Sequence, residues 1–126
     1  MNDGNSAAIA DLCVPGSRFA TGIAGQMQSM RVAFPDNHLT IDELLAEDAL
    51  VAARVTVRGT NSGPLVGLPA FGRLEKPVPA TGRAVVTTGI YVFRIAEGRI
   101  ASLAFELDQV GLLQQLGWTL TPPDLG

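Results

Sequence analysis

The chain divides by the period at which its apolar residues recur. Over "TGIAGQMQSMRVAF", Ile23, Met27, Met30 and Phe34 follow i, i+4, i+7 and i+11 spacing, which predicts one apolar stripe on a helix that Thr21 caps and Pro35 stops. Upstream, "NSAAIADLC" sets Ile9, Leu12 and Cys13 at helical spacing behind Asn5 or Ser6 as cap, a short helix ended by Pro15 and Gly16. Beyond Pro35 the period drops to two. "HLTIDELLAE" alternates imperfectly through Leu39, Ile41 and Leu44 and turns at "EDA"; in "LVAARVTVRGT", Ala53, Val55 and Val57 alternate cleanly with Arg54, Thr56 and Arg58. "AVVTTGIYVFRI", the tight turn "AEG" and "RIASLAFEL" predict a long hairpin. "DQVGLLQQLG" closes the pattern as a short helix with Asp108 as N-cap and Gly117 at its stop.

Between the second and third of these strands, residues 61–83 hold Pro64, Pro69, Pro77 and Pro79 among several glycines, and the expectation is a loop with neither strand nor helix. Helices first, then four strands joined mostly by hairpins, then a closing helix indicate a single α+β domain over residues 1–126, its antiparallel sheet covered on one face by helices. Strong twist would curl such a sheet into a cone whose mouth can hold a small molecule.

The last strand divides into two unlike faces. Its odd set, Ala101, Leu103, Phe105 and Leu107, is wholly apolar, while Ile100, Ser102, Ala104 and Glu106 share the other face, with Asp108 just past the end. With the odd face on the core or on a second subunit, the even face would offer room beside Ser102 and Ala104 and acids at its far end. A carboxylate in apolar surroundings gains a raised pKa and can both remove and return a proton. An Asp at a strand-to-helix boundary is equally what an N-cap requires, and Glu106 equally suits a solvated strand end. The two roles of Asp108 are compatible, since one oxygen can cap while the other faces a pocket.

Composition narrows the partners. A net charge of −3 with no Lys/Arg cluster argues against nucleic acid. The single cysteine, Cys13, permits no intrachain disulfide, and one Cys with one His, the turn residue His38, supplies no zinc ligand set. No run of 18 apolar residues and no basic leader occur, which predicts a soluble cytoplasmic protein without a membrane partner.

The ordered string "AFPDNHLTIDELLAEDALVAARVTVRGTNSGPLVGLP", "PATGRAV", "GIYVFRIAEGRI" and "DQVGLLQQLG", from about Gly22 to Gly117, resembles the SnoaL-like polyketide cyclases, or ester cyclases, of the nuclear transport factor 2-like superfamily. The resemblance implies a cone-shaped α+β barrel with a deep apolar pocket, frequently a homodimer and needing no cofactor. It implies a cyclase or isomerase that acts on a hydrophobic polyketide-like molecule, its namesakes closing a ring by intramolecular aldol condensation with a pocket Asp as general acid and base. By position that acid falls on Asp108, with Glu106 as a second candidate. Asn61 in "GTNSG" stands where the family often has a His, and could hydrogen-bond a ligand carbonyl or enolate. Tyr91, Phe93, Ser102, Ala104, Met27 and Met30 complete the expected substrate wall, although two Met at helical spacing and two strand aromatics also suit an ordinary core.

Two departures from the family stand out. Its long first helix has no counterpart in the sequence, and "FGRLEKPVPA" is an insertion that would serve as a lid, a dimer contact or a surface loop. The competing reading is a non-catalytic module of the same fold that binds a ligand or dimerises. A limonene-type epoxide hydrolase ranks third, because its Arg-x-Asp strand motif is absent and Arg54 and Arg94 read more simply as exposed strand residues.

Overall fold

The computed structural model describes residues 27–68 and 72–124. Residues 27–33 are helical (α1), and the helix ends where Pro35 demands it, with the Phe34 N–H donating to the Met30 carbonyl at 2.7 Å. The predicted short helix around Ile9 and Cys13, the Thr21 cap and the question of a first helix all lie outside the described residues.

Six strands follow: β1 His38–Glu47, β2 Leu50–Thr60, β3 Leu65–Leu68, β4 Gly72–Val78, β5 Ala84–Ala96 and β6 Arg99–Leu107, before helix α2 Gln109–Gln115. Four of them form one antiparallel sheet in the order β1-β2-β5-β6. The imperfect alternation of β1 has a cause in this sheet: its register against β2 shifts between Ile41 and Glu43, so that Ile41 opposes Val55 but Glu43 opposes Arg54. The "AEG" turn takes positive φ at Glu97 (53°) and Gly98 (74°), the pair of left-handed residues that a tight hairpin between right-twisted strands requires.

Strands β3 and β4 correct the expectation of a structureless loop over 61–83. They pair as a separate two-stranded sheet, and the prolines fall where a strand tolerates them. Pro64 precedes β3, Pro79 follows β4, and Pro77 sits inside the irregularity between the pairs Leu65–Val78 and Gly67–Arg73, where no ladder N–H is needed. The inserted segment packs inward through Leu74 and Val78.

The sheet is curved, and both helices lie on its concave side, giving an α+β domain with the core between them. Ala33, Phe34, Leu65, Leu68, Val85, Leu112 and Leu116 form that core, drawn from α1, β3, β5 and α2. Phe34 is 1% exposed and lies over Gly59 of β2, where a Cβ would stand a tight 3.1 Å from the Phe34 Cβ, so that a larger residue would push the Phe34 side chain outward by a few tenths of an ångström. Among the described residues no helix is long and apolar enough to cross a membrane.

Candidate functional site

A cavity of about 120 Å³ opens between the two helices and the concave face of the sheet. Its walls follow from strand parity. Val57 of β2, Thr87 and Tyr91 of β5, and Leu103, Phe105 and Leu107 of β6 are odd-numbered residues facing the helices, while Met27, Met30 and Phe34 close it from α1 and Leu112 from α2. The polar members are Arg31, Asn37, Arg58, Thr87, Tyr91 and Gln109. Among the described residues no carboxylate and no imidazole lines it.

Tyr91 is the polar group that this geometry singles out. It opposes Phe105 across the β5–β6 ladder, and its ring meets Phe105 edge-on at 5.9 Å and Phe93 at 6.1 Å between centroids. Its hydroxyl makes no hydrogen bond to any of the described residues. Burial pushes the phenol above the usual tyrosine range, so at neutral pH it is a proton donor held in apolar surroundings. Because the chain has one tyrosine, the tyrosinate absorbance at 295 nm reports this residue alone. The expected midpoint lies above that of the unfolded chain, about 10. A native state that holds the proton more tightly than the unfolded one keeps its full stability below about pH 10 and loses it as the pH rises further. A midpoint at or below the free-tyrosine value would contradict the buried environment.

Of the residues expected from the sequence, Met27, Met30 and Tyr91 are in the cavity wall. Phe93 shares their face but stands beyond Tyr91, outside the lining. Ser102, Ala104 and Glu106 are on the opposite, outer face and exposed, which corrects the expectation that the even face of β6 looks into the pocket. The physical reason is that the described helices both lie on one side of the sheet. Core and cavity therefore share the concave side, and the wholly apolar odd face serves both.

Asn61 is likewise placed differently from the expectation of a ligand-facing amide. It is 1% exposed, and its side chain is spent on the protein itself: Nδ2 donates to the carbonyls of Ala33 (3.2 Å) and Gly63 (3.0 Å), and Oδ1 accepts from the Thr81 N–H and Oγ1, both at 2.9 Å. Both amide protons and both oxygen lone pairs are thereby used.

Asp108 performs the capping role. Its carboxylate accepts the Gly111 N–H at 2.9 Å, and its own N–H donates to the Thr88 carbonyl at 3.0 Å. It is exposed and lies at the rim, between Leu107 and Gln109, which both line the cavity. Arg54 is on the outer face, bonded to Glu43 at 2.7 Å, an exposed pair of little energetic weight. Among the described residues no group of His, Cys, Asp and Glu could hold a metal ion. The sequence reading missed Leu103, Phe105, Leu107, Thr87 and Arg31; the first three were visible as the apolar face of β6, and Arg31 as a member of the α1 stripe with Met27 and Phe34.

A curved antiparallel sheet with an apolar cavity beneath two helices is the architecture of nuclear transport factor 2-like proteins. The model of the SnoaL-like polyketide cyclase family matches residues 17–116, and the chain belongs to that family. Among solved structures it is similar to TsrD from Streptomyces laurentii (27% identity over 92% of this chain and 85% of that one, TM-score 0.74). It is also similar to wild-type IdmH from Streptomyces antibioticus (27%, 93% and 90%, TM-score 0.70). AclR from Streptomyces galilaeus shares the fold at 22% identity, covering 98% of this chain and 78% of that one, with a TM-score of 0.75. A search of curated proteins finds no match.

Proposed function

We propose that the protein is a cofactor-independent cyclase or isomerase that acts on a hydrophobic, polyketide-like molecule by proton transfer next to a carbonyl. The observation that carries this reading is the Tyr91 phenol, unpartnered among the described residues and facing an apolar cavity, where a donor to a developing enolate oxygen gains most from the low dielectric. In an aldol closure a base takes the proton from the carbon beside one carbonyl. The resulting enolate forms the new carbon–carbon bond at a second carbonyl of the same molecule, and that oxygen takes a proton back. Asp108 is the candidate base at the rim, with one carboxylate face committed to the helix cap. Family membership supports the same chemistry.

A second reading, a ligand-binding module without catalysis, is favoured by a cavity lining that has no carboxylate or imidazole among the described residues. The two separate on a simple ketone. With 1-tetralone in D2O, the enzyme reading expects the protein to accelerate exchange of the protons beside the carbonyl. Y91F should reduce that acceleration by roughly 10²-fold, the scale of one lost oxyanion donor. D108N should abolish it with stability unchanged, because Asn caps a helix as well as Asp does. Binding of 1-tetralone, seen as shifts of the Tyr91 and Phe105 resonances, with exchange no faster than in buffer would leave the module reading.

A further inference from the structure

Two hydroxyls of β5 line the cavity, and the function proposed above uses only that of Tyr91. The other belongs to Thr87, half-buried on the same face of the strand. Thr87 lies in one row with Leu39 and Val57, which oppose one another across the β1–β2 and β2–β5 ladders and line the cavity with it. Both are apolar, and a valine in place of the threonine would suit the strand as well. Elsewhere in the domain the threonine hydroxyls in sheltered places are bonded: that of Thr56 donates to Asp42 at 2.6 Å and that of Thr81 to Asn61 at 2.9 Å. The Thr87 hydroxyl makes no hydrogen bond to any of the described residues. A hydroxyl taken partly out of water without a partner costs the fold stability, and a ligand oxygen beside it removes that cost.

The two hydroxyls are set apart by an apolar bed. Four residues, roughly 13 Å of strand, separate Thr87 from Tyr91. Midway between them Gly89 pairs with Leu107, and a Cβ at Gly89 would run into the Leu107 side chain, which therefore lies over the glycine. The Thr87 end is the rim: the carbonyl of the next residue, Thr88, accepts the Asp108 N–H at 3.0 Å.

We infer that Thr87 is a specificity-determining residue that binds a second oxygen of the ligand at the rim, while Tyr91 binds the carbonyl farther in and the ring between them lies on Leu107. The inference rests on the cavity being the ligand site, as in the function proposed above, and goes further by naming a second point of recognition. A hydroxyl both donates and accepts, so Thr87 suits a carbonyl or a hydroxyl of the ligand. An analogue that is apolar at this end leaves the threonine hydroxyl unpaired and sealed from water, which is how a site built for an oxygen rejects a molecule that lacks it.

The test titrates the full chain by calorimetry at pH 6 with 1-tetralone and with 6-hydroxy-1-tetralone, whose hydroxyl lies across the rings from the carbonyl and is neutral at that pH. The hydroxylated ketone should bind about three- to tenfold more tightly, the scale of one neutral hydrogen bond. T87V should bind 1-tetralone no more weakly than the wild-type chain does and should lose the preference, whereas T87S, which keeps the hydroxyl, should keep it. The preference is a ratio within one chain, so it is read even where a variant is less stable. Equal binding of the two ketones by the wild-type chain, or a preference that survives in T87V, overturns the role of Thr87 and leaves the cavity as the ligand site. Failure of both ketones to bind overturns the cavity reading itself.

Discussion

Asn61→Ala should cost the domain about 3–5 kcal/mol of folding stability, more than an average point substitution removes. The side chain is buried and joins three pieces of chain: the end of α1 through the Ala33 carbonyl, the start of the β3 segment through the Gly63 carbonyl, and the approach to β5 through Thr81. Truncation leaves the buried Ala33 carbonyl and the part-buried Gly63 carbonyl and Thr81 N–H without their partner, and each buried orphan costs about 1–3 kcal/mol. Thr81→Ala is the graded control. It removes two hydroxyl contacts, the one donated to Asn61 Oδ1 and the one accepted from the Arg83 N–H, and keeps the N–H bond to Oδ1, so a loss of about 1–2 kcal/mol is expected. Urea unfolding of the two variants measures both; similar small losses would mean that the Asn61 network contributes little.

Phe34→Ala should cost a similar amount, about 3–5 kcal/mol, through a different mechanism. Phe34 belongs both to the buried core and to the cavity wall, so its removal adds a void to an existing hollow. Gly59 beneath it has no side chain with which to fill the gap. The enlarged, apolar space should take up a small aromatic molecule, and an occupant that binds only the folded state restores stability by mass action. Thermal unfolding with and without added indole checks this. Phe34→Ala should regain several degrees, and the wild-type chain should move less. No rescue would show that the site collapses around the deletion.

Much of the fold is written in short-range patterns. The α1 stripe, the clean alternation of β2 and the β5–β6 hairpin depend on neighbours within a few residues, and the structure has the strands, and the stripe from Met27 onward, where the sequence puts them. Asp108 as a cap is equally local, one carboxylate and an N–H three residues on. Strands β3 and β4 were hidden by their prolines, because a proline forbids a strand only where its N–H is needed, and only the register of a partner tells where that is. The cavity was hidden for another reason. Periodicity separates the two faces of β6 and says nothing of which one the helices cover. Leu103, Phe105 and Leu107 therefore read as a face for the core or for a second subunit, and Ser102, Ala104 and Glu106 as pocket. Asn61 is the extreme case, with side-chain partners 28 and 20 residues away that no local pattern can announce.

The order in which the sheet assembles has a physical logic that points back to the same asparagine. Strands β1 with β2 and β5 with β6 are chain neighbours, whereas β2 meets β5 only by enclosing residues 61–83. Within that seam the pair nearest in the chain is Thr60 with Ala84, and the most distant is Leu50 with Arg94. Closing a loop costs less entropy the shorter it is, so pairing is most readily begun at the Thr60 end and then extended, pair by pair, toward the far one. Just outside that first pair the Asn61 N–H donates to the Arg83 carbonyl and the Gly82 N–H to the Asn61 carbonyl, both at 2.8 Å. Asn61 thus clasps the loop beside the pair at which this longest-range join is entropically cheapest to begin.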